Sequence, residues 1–284
     1  MLLIIKCVFE VIEMKKYLSL VLASIMAIGT YSYAFADDSQ NLHEELVDCI
    51  VLANEQLGIT LTQSEIEQLN FTTEQAAQKY CEQENISLTE AYDKLLDEVK
   101  SSMACPDPSV PTTYATKEVE LVPSATGNIY FVDSGSAWNH VGLYTAKEYI
   151  VKSMPEDGVQ YWKYNATGAH QFVVTNPQDG VNDSCILSVN TTSSKKSSAA
   201  AWPEENIPEG TPYDFDPLDN KADYYNAGKD NVKSELDALN CSELVWRAYK
   251  KGASIDLDGN GGLGVYPNDI LASSKTIEVQ GNWW

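Results

Sequence analysis

The sequence predicts an α+β protein, and three observations predict it. Residues 42–103 carry apolar side chains at helical spacing with no proline among them. From Glu118 the text changes to short strand-like runs separated by turn residues. One strong amphipathic helix then stands late in the chain, at residues 240–250. Strands grouped together with a single late helix fit an α+β layering rather than alternating βα units.

The elements follow in chain order. Lys15-Lys16, the apolar run Tyr17–Ile28 and Ala34-Phe35-Ala36 have the three parts of a secretory signal peptide. Residues 1–36 are therefore expected to be removed, with Met14 a better start than Met1; a retained N-terminal anchor is the alternative. Residues 37–105 read as a small bundle of three or four helices. Leu42, Leu46, Ile50 and Leu57 recur near helical spacing. Thr62-x-x-Glu65 and Thr72 before Ala76-Ala77 carry N-terminal capping signals, and Ser87-Leu88-Thr89-Glu90 opens another helix. Three prolines between Pro106 and Pro111 make residues 106–117 a semi-rigid linker and the domain boundary. Within 118–284, strands are expected at 127–132, 140–144, 149–153 and 171–174, with a turn at Pro155–Gly158. The Ser- and Ala-rich tract Thr191–Ala201 reads as a linker or a helix start. Leu244, Val245, Ala248 and Tyr249 mark the buried face of the late helix, and Gly252 is its stop.

The formal charge is −22 at pH 7. Removal of residues 1–36 makes the chain more acidic, since Lys6, Lys15 and Lys16 outnumber Glu10 and Glu13 there. Nucleic acid and anionic lipid are thereby disfavoured as partners. Of six cysteines, Cys7 precedes the cleavage site. Cys49, Cys81, Cys105, Cys185 and Cys241 remain, an odd set that leaves one thiol without an intramolecular partner. Parity does not choose which.

Local chemistry favours Cys241. A helix begins there, so unpaired backbone N–H groups and the positive end of the helix dipole meet the sulfur. Both favour thiolate, and the same N–H groups can hold an oxyanion. Asn240 or Cys241 itself caps the helix. Three histidines are available, His43, His140 and His170. His140 opens a short strand beside a glycine, where a histidine can meet a helix N-terminus packed over the sheet and activate a thiol. His170 reads as a surface or supporting residue.

Four segments carry a family resemblance. Ser136–Tyr144 resembles the "HVGIY" strand of the NlpC-type cell-wall peptidases. Cys241–Tyr249 is similar to the nucleophile helix of the YiiX-like permuted papain-like amidases. Gly210–Phe215 resembles their "G-x-P-Y-D-F" segment, and Pro267–Ile270 their "P-x-D-[LI]". The histidine precedes the cysteine, the reverse of papain. The resemblance spans roughly residues 127–273 and leaves the helical region uncovered. It implies a circularly permuted papain-like domain, an antiparallel sheet packed with the nucleophile helix. It also implies a bacterial cysteine hydrolase, extracellular or envelope-associated, in which His140 takes the proton of Cys241 and a thioester acyl-enzyme forms. Tyr213 and Ser242 are candidate oxyanion or site-lining residues.

One position departs from the pattern. Related enzymes carry a polar residue on the next strand to orient the histidine, and Lys152 stands there. An ammonium only donates, so it cannot accept the imidazole N–H. Glu148 or Ser153 substitutes, a backbone carbonyl or water does, or the enzyme is impaired; Asp133 and Glu243 are further carboxylates without local support. Asp256–Gly262 has the start of a calcium loop, but Pro267 stands where the bidentate Glu belongs. A glycine-shaped loop is the reading, with calcium the alternative. No Cys/His cluster has zinc spacing, and no cofactor is expected. The function read from the sequence is amide hydrolysis, with peptidoglycan stem peptides as a candidate substrate. Lipid or acyl-ester hydrolysis or acyl transfer, and a non-catalytic secreted binding module, are the alternatives.

Overall fold

The computed structural model describes residues 38–55, 59–102, 116–120, 123–132, 139–147, 149–163, 171–175, 184–218 and 238–281. Residues 1–36, read above as a signal peptide, nearly all of the expected linker, Leu57, Cys105, Asp133, Glu148 and His170 lie outside the described residues.

The first helix, α1, spans 38–55. Helix α2 (Gln63–Glu84) opens on a capping box, with the Thr62 side chain and Glu65 each bonding the other's backbone N–H. It ends at Asn85 in the left-handed conformation, φ 55°. Helix α3 (Leu88–Ser102) is opened by Ser87, whose hydroxyl accepts the Glu90 N–H at 3.2 Å. The capping signal at Thr72 starts no helix. Thr72 sits inside α2, with its hydroxyl on the Gln68 and Leu69 carbonyls and on the Asp216 carboxylate. A mid-helix threonine satisfied in this way has no reason to interrupt the turn.

These helices share a core with the second half of the chain. Leu46, Ile50, Leu69, Leu95 and Val99 pack with Leu218 and Tyr266. The Glu98 carboxylate accepts the backbone N–H groups of Leu263 and Gly264 at 3.2 and 2.9 Å. Asn54 reaches the Phe215 carbonyl.

Eight strands follow among the described residues: β1 (Thr116–Glu120), β2 (Ile129–Val132), β3 (His140–Ala146), β4 (Tyr149–Met154), β5 (Gly158–Lys163), β6 (Gln171–Thr175), β7 (Cys185–Val189) and β8 (Thr276–Gly281). β1 and β6 form a two-stranded sheet; the other six form an antiparallel sheet in the order β5-β4-β3-β2-β7-β8. Gly158 at φ 65° closes the β4–β5 hairpin, the left-handed position that a three-residue hairpin loop requires.

The remaining helices are α4 (Ser193–Asn206), α5 (Cys241–Ala253) and α6 (Pro267–Ala272). The Ser- and Ala-rich tract is helix α4, capped by Thr192. Its small residues have a packing purpose. At Gly252 of α5 an added methyl would press on the Ser198 carbonyl and Ala199, so the two helices touch backbone to backbone.

The two faces of the large sheet are distinct, as period-2 alternation dictates. Ile129, Phe131, Val141, Leu143, Val151 and Val159 pack with Leu244, Val245 and Trp246 of α5. Tyr130, Val132, Tyr144, Ile150 and Ile186 form a second cluster with Trp162.

Candidate active site

The start of α5 is held from several directions. Asn240 is the cap; its Oδ1 accepts the Glu243 N–H at 2.9 Å. Ser242 Oγ lies 2.9 Å from the same Asn240 oxygen and 2.7 Å from the Val265 carbonyl. One residue before the cap, the Leu239 carbonyl accepts the Ser153 hydroxyl at 2.6 Å, and the Leu239 N–H donates to Pro212 at 2.9 Å. Cys241 is a free thiol, 5% exposed.

The sulfur faces the backbone N–H groups of Val141, Ser242 and Cys241 itself, and the Tyr213 hydroxyl. All favour thiolate. Burial outweighs them and pushes the thiol up to about 11. Tyr213 is half-buried, its ring 5.2 Å from Phe215, and its hydroxyl is held well above the ordinary phenol range by burial and by Cys241. Tyr213, Asn240, Cys241 and Ser242 line one cleft together with Asn139 and, from α1, Asn54.

His140 is the first residue of β3, paired across the ladder with Val132. Its neighbour Val141 is the residue whose N–H faces the Cys241 sulfur, which sets the start of β3 beside the start of α5. The Val141 side chain enters the helix-facing core, while the His140 ring packs beside Tyr130. Nε2 lies 3.2 Å from the Tyr130 hydroxyl, with ring centroids 5.7 Å apart. Burial, and secondarily the charge of Lys152, lowers the imidazole to about 3.

Lys152 is 3% exposed, its ammonium 3.5 Å above the centroid of the Trp162 ring. Burial lowers it to about 8, with Asp157 opposing. Its effect on His140 is electrostatic: a positive charge nearby disfavours imidazolium. Ser153 donates to Leu239 on the helix side of the sheet. Glu243 forms a buried ion pair with Arg247 at 2.5 Å. Neither contact orients the histidine.

Other sequence candidates serve the scaffold. Asp256 holds Lys250 and, at 2.8 Å, the Trp246 indole N–H. Asp258 accepts the N–H groups of Asn260 and Gly261 at 3.3 and 3.2 Å, closing the glycine-rich loop on itself. Among the described residues, no group of three or more His, Cys, Asp or Glu is placed to hold a metal ion. His43 bonds Thr73 at 2.8 Å within the helical region. Two residues at the site escaped sequence reasoning. Tyr130 carries no motif signal beyond an apolar strand, and Asn54 lies in a helix far away in sequence. For Tyr130 the available signal was Gly142, a glycine inside a strand, which marks close approach by another group.

No family model matches the chain. Over 163 residues it is 40% identical to the uncharacterized protein YycO of Bacillus subtilis (strain 168), an alignment covering 56% of the chain and 57% of YycO. The chain thus spans little more than half the length of that relative. Among solved structures, the metalloprotein YiiX from Escherichia coli O157:H7 (DUF1105) aligns with 57% of the chain and 99% of its own, at 16% identity and a TM-score of 0.36. No helix among the described residues is long and apolar enough to cross a membrane.

Proposed function

We propose that this protein is a secreted cysteine hydrolase of permuted papain-like chemistry, with Cys241 as nucleophile and His140 as general base. The observation that carries the reading is the sulfur at the α5 N-terminus, facing the N–H groups of Val141 and Ser242 beside the strand that begins at His140. With the thiol high and the imidazole low, the resting pair is neutral: S–H and imidazole. His140 therefore removes the thiol proton as the sulfur attacks the carbonyl carbon, not beforehand. The tetrahedral oxyanion is stabilised by backbone N–H groups at the helix start, with Tyr213 as a further donor. Collapse gives a thioester on Cys241 while His140 returns the proton to the leaving amine. Water, deprotonated by His140, then releases the acid and regenerates the thiol.

The substrate class is an amide, and the secretory signal in the sequence points to an extracellular one such as a peptidoglycan stem peptide. The test is turnover of purified stem peptides. Cys241→Ala is expected to lower the rate at least about a thousand-fold, and equal activity in that variant removes Cys241 as nucleophile. The buried, high-pKa thiol favours a second reading, a binding module that retains the site without turnover. That reading predicts peptide binding by calorimetry and no released amine with either protein.

A further inference from the structure

We propose that Tyr130 is the residue that orients His140, standing in for the polar partner that Lys152 cannot be. This rests on the Cys241–His140 reading above. Tyr130 and Gly142 are directly opposed across β2 and β3. The phenol ring lies over Gly142, where any β-carbon would overlap its hydroxyl and ring carbons. The hydroxyl thereby reaches two residues along β3 to the imidazole, 3.2 Å from Nε2. Glycine two residues after the histidine is thus what admits the tyrosine.

Among the described residues, three other polar groups of the neighbourhood are committed elsewhere. Ser153 is bonded to Leu239, Glu243 to Arg247, and the Lys152 ammonium lies over Trp162 and donates only. A phenol oxygen can accept. With Nε2–H donating to Tyr130, the imidazole is held as the tautomer whose lone pair is on Nδ1, the form that a base acting through Nδ1 requires. Tyr130 is fully buried, and burial keeps its hydroxyl protonated, so it fixes the tautomer without adding a negative charge. Among the described residues, Tyr130 from β2 and Lys152 from β4 act on the ring, and Cys241 from α5 acts electrostatically on Tyr130. Tyr130 acts through His140, as a positioning residue.

The experiment compares the full chain, Tyr130→Phe and His140→Ala. Two readouts are taken: the iodoacetamide alkylation rate at the Cys241 peptide near pH 7, and the ¹⁵N shifts of the His140 ring. Phenylalanine keeps the ring and its packing, so the thermal midpoint should move by only a few degrees. The expected result is alkylation about tenfold slower in Tyr130→Phe, less than the roughly hundred-fold or more that general base catalysis contributes, since the base is misoriented and not removed. The expected spectrum changes from an Nε2–H tautomer to a mixture. Unchanged rate and unchanged tautomer in Tyr130→Phe, with His140→Ala slow, would overturn the role of Tyr130 alone. Unchanged alkylation in His140→Ala would instead overturn the Cys–His pair on which the proposal rests.

Discussion

The nucleophile end of the site and its base end are built differently. Cys241 stands at a helix start secured by Asn240, Ser242, Val265, Ser153 and Pro212, on the sheet face that carries the larger core. His140 stands at the very start of its strand, stays partly exposed, and packs with Tyr130. Rigid placement of the nucleophile comes from local capping joined to many tertiary bonds. Among the described residues, the base is held by its cross-strand neighbour Tyr130 and feels the charge of Lys152. The proposed dyad should therefore fail in two separable modes: loss of fold at the cysteine end, and loss of chemistry with fold retained at the histidine end.

The largest effect to separate them lies at the cysteine end. Arg247 and Glu243 are 0% and 1% exposed at the side chain. Arg247→Met leaves a buried carboxylate alone and should cost about 3–5 kcal/mol in urea unfolding. A loss below about 1 kcal/mol would mean that the carboxylate finds another partner. Next comes Gly142→Ala, which forces Tyr130 aside. Overpacking of this kind costs about 1–3 kcal/mol, and here it should also shift the ¹⁵N signals of His140. Unchanged histidine signals would separate Gly142 from the base. Asn240→Ala removes the cap and should cost about 1 kcal/mol, read from the denaturation midpoint.

A separate effect, confined to acid pH, comes from the histidine. The folded imidazole lies near 3 against an ordinary 6.5. Between those values the unfolded chain binds a proton that the folded chain does not. Stability therefore falls as pH drops through that window and is unaffected above it by this group. His140→Gln should flatten the urea midpoint against pH between about 6.5 and 3 relative to wild type. An identical slope would mean that the imidazole charges freely in the folded state.

The same contrast explains what the sequence could tell. Asn240-Cys241 followed by an apolar helical face is a local signal, and α5 begins there. The strand at His140 and the hairpin glycine at 158 were equally local. Thr72 misled because a cap and a back-bonded mid-helix threonine look alike until Asp216 is known to be its partner. The strands β5, β7 and β8 are short runs whose identity depends on neighbours contributed from elsewhere in the chain. β8 even presents Ile277 and Val279 outward, 54% and 51% exposed, against the usual burial of such residues. Tyr130 and Asn54 reach the site only through register and helix docking, which no local pattern encodes. The helices α1–α3 share their core with Leu218 and Tyr266. The cleft beside Cys241 is accordingly shaped in part by residues nearly two hundred positions earlier in the chain.

The central claim is that Cys241 attacks with His140 as its base, and trapping the acyl-enzyme tests it most directly. The protein would be incubated with an activated peptide ester, quenched in acid and mapped by mass spectrometry. The acyl group is expected on Cys241, absent in Cys241→Ala and strongly reduced in His140→Ala. Acylation at another residue, or equal acylation of Cys241 without His140, would contradict it.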